Sequence, residues 1–72
     1  MKKETFLIDL QDLLQREEDC REGDFLDSYD EWDSLSKMSV LAYFDQKLGK
    51  KIDAEVLDSL KTVDDLIKLA GL

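Results

Sequence analysis

The chain has 72 residues, no histidine, no proline and a single cysteine, and it carries a formal net charge of −8. A chain of this size buries only roughly 60% of its unfolded surface, which leaves a thin core and little depth for a substrate cleft. Without histidine the Ser-His-Asp and Cys-His arrangements and the usual zinc ligand sets are excluded. Cys20, alone, cannot close an intramolecular disulfide.

Met1-Lys2-Lys3-Glu4 leads into a stretch too short and too charged for a secretory signal, and no apolar run is long enough to span a bilayer. The expectation is a cytoplasmic chain, one domain over residues 1–72, that binds neither nucleic acid nor anionic membrane, both being polyanions. The first helix comes from Phe6, Leu7, Leu10, Leu13 and Leu14, which share one face at helical spacing, with Ile8 off that stripe. The pattern fades into Arg16-Glu17-Glu18-Asp19, and Gly23 stops whatever helix remains. Residues 17–33 then read as a long acidic connection, pinned to the bundle by Phe25, Leu26, Tyr29 and Trp32. Cys20 reads as a bystander thiol in a polar segment. No register from Asp24 or Asp27 satisfies an EF-hand loop, so no tight calcium site is expected.

A second helix spans Ser34 to Leu48, with Asp33 or Ser34 able to cap its start and Gly49 suited to its end. Its apolar residues exceed one buried stripe. Val40, Leu41, Phe44 and Leu48 cluster on one arc; Leu35, Met38 and Ala42 cluster on another, which is either extra core or a docking surface. A short third helix follows Asp53, with Val56, Leu57 and Leu60 turned inward. Thr62-Val63-Asp64-Asp65 is a close variant of a capping box and opens a fourth helix, whose Val63, Leu66, Ile67 and Ala70 recur at helical spacing before Gly71. No period-2 alternation persists, so the fold class is all-α: a small four-helix bundle, three longer helices plus a short third.

Asp33-Ser34-Leu35 stands out because it offers a hydroxyl at a helix N-terminus, where unpaired N–H groups and the helix dipole favour an anion. Asp58-Ser59-Leu60 repeats the tripeptide, so its context has to discriminate. Nothing in the chain can serve as a base to activate Ser34, which makes this serine a substrate for another protein rather than a nucleophile in its own right.

In the order of these pieces the chain resembles an acyl carrier protein over essentially its whole length. The likeness lies in a first helix, a long loop, Asp33-Ser34-Leu35 heading the second helix, Leu48-Gly49-Lys50-Lys51-Ile52 closing it, a short third helix and Thr62-Val63-Asp64-Asp65-Leu66-Ile67. The resemblance implies that Ser34 carries 4′-phosphopantetheine, installed from coenzyme A by a separate Mg²⁺-dependent phosphopantetheinyl transferase. It implies recognition through Asp33 and Leu35, and partner contacts through Met38, Ala42 and Asp45. It implies a monomer, not itself an enzyme, that carries an acyl or aminoacyl group as a thioester between loading and acyl-using enzymes. Two features depart from typical fatty-acid carriers: the second helix keeps only Asp45 as an acid beside Lys37 and Lys47, and Trp32 precedes Asp33. Both point toward specialised pathways such as polyketide, nonribosomal peptide or surface-polysaccharide assembly, or D-alanyl transfer. The alternative from a different class is an unmodified acidic helical adaptor that binds a basic protein and needs no particular serine.

Overall fold

Two local rules, a donor-satisfying side chain at the start and a left-handed residue at the stop, set out the second and fourth helices in a computed structural model that describes residues 1–72. It contains four helices: α1 (Lys3–Leu14), α2 (Ser34–Leu48), the short α3 (Ala54–Ser59) and α4 (Val63–Ala70), with one 3-10 turn at Leu26–Ser28 and no strands. Gly49 and Gly71 end α2 and α4 at positive φ, as their positions predict. At the head of α4 the full capping box is present: the Thr62 side chain accepts from the Asp65 amide, and the Asp65 carboxylate accepts from the Thr62 amide.

The helices bury one another around a single cluster. Phe6, Leu10 and Leu14 come from α1, Val40, Tyr43 and Phe44 from α2, Leu57 from α3, and Val63, Leu66, Ile67 and Ala70 from α4. Phe6, Tyr43 and Phe44 meet edge to face with ring centroids 6.0–6.4 Å apart. Such pairs each add about 0.5–1.5 kcal/mol beyond the area they bury. Tyr43 brings a polar tip into this contact, and its hydroxyl donates to Asp9 Oδ2 at 2.7 Å, clipping α1 to α2. Burial, and then that carboxylate, hold the Tyr43 hydroxyl well above the usual tyrosine pKa. The sequence pattern had not placed Tyr43 in the core.

The acidic connection is folded onto this frame rather than free. Its carbonyls serve the start of α4: the Val63 amide donates to Asp24 O at 3.0 Å and the Asp64 amide to Glu22 O at 2.9 Å, while the Leu26 amide donates to Lys61 O at 2.8 Å. Two of the orphan donors of α4 are thereby satisfied by the loop. Leu26 and Tyr29 are buried, as expected of pins, and Trp32 is half-buried. Phe25 is not a pin: it is 61% exposed. It lies on an extended stretch bridged to Thr62, where neighbouring side chains point to opposite faces, so sinking Leu26 turns Phe25 outward.

Two further expectations are corrected. Cys20 is buried to 5% exposure in the core cluster, because the chain after α1 folds back over it; that burial raises its thiol pKa, partly opposed by Tyr29 and the Arg16 cation. Val56 faces solvent. With only six residues, α3 has a single inward position, taken by Leu57, and the residue before it falls about 100° away. Helix α1 ends at Leu14, where its apolar pattern fades, with Gln15 as C-cap at φ +55° and ψ +40°.

Candidate functional site

The start of α2 is built by Asp33. In extended conformation, it accepts the Ser36 N–H through Oδ1 at 2.9 Å, while its carbonyl accepts the Lys37 N–H at 2.9 Å. Between the two candidate caps, Asp33 is the one that works, and Ser34 is the first helical residue, exposed. The Ser36 amide, with further help from the Ser36 hydroxyl and the Leu35 amide, holds the Asp33 carboxyl below the usual carboxylate range. No acidic side chain lies within the first turn of α2 itself.

From Ser34 a row of exposed residues runs down the helix. Leu35 is 75% exposed and Met38 66%, and Ala42 and Asp45 are also exposed. The spacing i, i+3, i+7, i+10 puts these four on one stripe. The choice between extra core and open surface is thus settled for Leu35, Met38 and Ala42: they are surface. Val40 and Phe44 are buried, and Leu41 and Leu48 are half-buried against the core, so the two arcs of α2 separate as the pattern predicted.

The second Asp-Ser-Leu is placed very differently. Ser59 is the last residue of α3, and its hydroxyl donates to Val56 O at 2.6 Å, at the negative end of a six-residue helix. Asp58 caps nothing; its carboxylate pairs with Lys37 Nζ at 3.0 Å. An anionic ester is favoured at Ser34 and disfavoured at Ser59 by the same dipole argument.

Lys37 was not singled out from the sequence. Its ammonium ties α2 to α3 through Asp58 and lies 5.6 Å from the Trp32 ring centroid, so it links three segments beside Ser34. Arg16 was missed as well. Its guanidinium stacks 3.8 Å over the Tyr29 ring and pairs with Glu31 at 3.0 Å and Glu18 at 3.5 Å, while the Tyr29 hydroxyl donates to Asp24 at 2.7 Å. No three His, Cys, Asp or Glu side chains stand close enough to hold a metal ion.

Two kinds of hollow mark the surface. A broad groove of about 610 Å³ runs along the connection, walled by Arg16, Glu17, Glu18, Asp24, Tyr29 and Glu31 among others. A small cleft of about 110 Å³ lies between the end of α1 and the start of α2, lined by Leu13, Leu14, Gln15, Leu35, Ser36 and Ser39. No helix is long and apolar enough to cross a membrane.

Comparison with protein-family models, with curated proteins and with solved structures finds no match to this chain. What the site can do has to be read from its own chemistry. Ser34 sets an exposed hydroxyl at the positive pole of a 15-residue helix with no acid in its first turn, where the dipole favours negative charge.

Proposed function

We propose that this chain is a carrier protein of the acyl-carrier type, a non-catalytic domain with 4′-phosphopantetheine attached to Ser34. The observation that carries the reading is the contrast between two identical tripeptides. Asp33-Ser34-Leu35 sets a free hydroxyl at the head of a long, capped helix, whereas Asp58-Ser59-Leu60 ties its hydroxyl to a carbonyl at the tail of a short one. When bound, the arm supplies a terminal thiol that holds an acyl or aminoacyl group as a thioester.

The chain's own residues then have distinct tasks. Asp33 fixes the start of α2 and so the direction in which the Ser34 hydroxyl projects. The first turn of α2 stabilises the ester's negative charge by about 0.3–1 kcal/mol. Leu35, Met38 and Ala42, exposed and aligned with Asp45, supply the partner surface for the transferase and for the loading and acyl-using enzymes. Tethering gives the cargo a high effective concentration at a partner's active site without new contacts. The small number of acids on α2 favours a specialised assembly pathway over bulk fatty-acid synthesis, with a cytoplasmic monomer as the working form.

The acid-walled groove favours a second reading, an adaptor for a basic protein. Part of its wall is already paired, since Glu31 and the exposed Glu18 serve Arg16 and Asp24 serves Tyr29.

Incubation with coenzyme A, Mg²⁺ and a broad-specificity transferase decides between the two readings by intact-mass spectrometry. The expected result is addition of one phosphopantetheine to the unaltered chain and to Ser59→Ala, and none to Ser34→Ala. An unmodified wild-type chain, or addition at Ser59, would rule out the carrier.

A further inference from the structure

We infer that the small cleft between α1 and α2 seats the proximal part of the arm proposed for Ser34, its branched alkyl group with the adjoining amide, and that it does not admit a long acyl chain. The inference rests on the reading of Ser34 as the attachment residue.

Position is the first argument. This is the one hollow bordered by the first turns of α2, at Leu35, Ser36 and Ser39, immediately after Ser34. Its far wall is Leu13, Leu14 and Gln15 at the end of α1. The cleft thus begins at the residue that follows the proposed attachment point.

Chemistry is the second. The lining is mixed, three leucines facing Gln15, Ser36 and Ser39: Leu14 is in the core, Leu13 is half-buried against it, and Leu35 stands on the rim, three quarters exposed. An alkyl group laid between them removes that leucine from solvent. The rest of the rim is polar. The Ser39 hydroxyl makes only a long 3.4 Å bond to Leu35 O and is readily redirected to an incoming amide.

Gln15 supplies the third, independent observation. It sits at φ +55°, ψ +40°, the only non-glycine residue of the chain at positive φ, at a helix end where glycine meets no steric penalty. Glycine would end α1 without strain. Glutamine there instead places a primary amide on the rim of the cleft, able both to donate and to accept.

Size sets the limit on what enters. The cleft, about 110 Å³ and open to solvent, is the smallest hollow on the surface and leaves room for a short branched group such as a carbon bearing two methyls. Behind it the interior is closed, since Val40, Phe44, Leu57 and Leu66 have no exposed surface. Longer acyl cargo stays outside and is shielded by the partner enzyme.

The test uses chain loaded at Ser34 from coenzyme A labelled with ¹³C on the branched methyls, with loading verified by intact mass. Nuclear Overhauser contacts are expected from those methyls to Leu13, Leu14 and Leu35, together with a shift of the Gln15 side-chain amide. Ser39→Leu, whose added methyls fill the cleft, loses the contacts to α1 in chain that mass shows to be loaded, and Gln15→Gly weakens them. Replacing an acetyl cargo by decanoyl leaves the Phe44 and Leu57 signals where they were. Loaded chain whose arm contacts only α2 and α3, or nothing, overturns the inference alone, as do core shifts with decanoyl cargo. Failure of the unaltered chain to gain the arm overturns it together with the Ser34 assignment.

Discussion

The acidic connection and the head of α2 adjoin in sequence, yet they treat their polar and apolar groups in opposite ways. In the connection Phe25 and most of the acids face water, yet the groups that hold the fold are turned inward: Leu26, Tyr29 and Cys20 enter the core, Arg16 covers Tyr29, and the carbonyls of Glu22 and Asp24 cap α4. At the head of α2 the resources are turned outward: Ser34, Leu35 and Met38 face water beside a cap that uses only Asp33. The first region stabilises the fold although its composition suggests a free loop. The second contributes little to the fold, although its composition suggests core. A segment's net charge or apolar content is therefore a poor guide to its role; where its hydrogen bonds and buried side chains go is the better one.

The largest expected effect breaks this contrast at its strongest point. Leu26 is fully buried, so Leu26→Ala removes its contacts and leaves a cavity, costing about 2–5 kcal/mol. Urea unfolding followed by circular dichroism measures it. The neighbouring Phe25→Ala, at a mostly exposed aromatic, costs far less. Equal losses at residues 25 and 26 would mean that the connection packs as a loose layer rather than through one anchor.

A middling effect sharpens the contrast through pH. Burial first, then the bond to Asp24, raises the Tyr29 pKa, and burial followed by Asp9 does the same for Tyr43. Both groups have folded values above the unfolded value of about 10. The stability they contribute is thus complete below about pH 10 and is lost as pH rises through the folded values. Ionisation monitored by tyrosinate absorbance should coincide with unfolding instead of preceding it. Tyr29→Phe removes the hydrogen bond to Asp24 at a cost of about 1–2 kcal/mol at neutral pH and makes the alkaline transition less steep.

The helices and their ends were legible because their signals are local. Asp33, Gly49, Thr62 with Asp65, and Gly71 act on groups within a few residues, and the 3.6-residue spacing of Val40, Phe44, Val63, Leu66 and Ile67 marks a face without reference to any partner. Ser34 as the first helical residue was legible for the same reason. What stayed hidden depends on distant partners. Tyr43 looks polar until Asp9, 34 residues away, accepts its hydroxyl, and Lys37 looks solvated until Asp58, 21 residues on, takes its ammonium. Cys20 and Phe25 could not be placed because two or three residues of extended chain carry no phase: which neighbour enters the core is decided by what lies opposite. By residue chemistry, apart from the family resemblance that already set it aside, the duplicate Asp-Ser-Leu became distinguishable once α3 was seen to end at its serine.

The smallest expected effect on stability concerns the exposed stripe, and its smallness is the point. Met38→Ser and Ala42→Ser alter side chains that face water, so each should change unfolding free energy by no more than about 0.5 kcal/mol in either direction. A partner surface made of the same residues should respond quite differently, because truncating an apolar anchor buried in a complex commonly costs more than 1 kcal/mol. The pair of measurements, thermal melting of the free chain and the rate of arm transfer to Ser34 under limiting transferase, separates the two roles. Unchanged melting with slowed transfer in Met38→Ser marks the stripe as the face a partner reads. A lowered melting temperature would instead place Met38 among the residues that hold α2 to the bundle, and the line drawn between the inward connection and the outward helix would have to move.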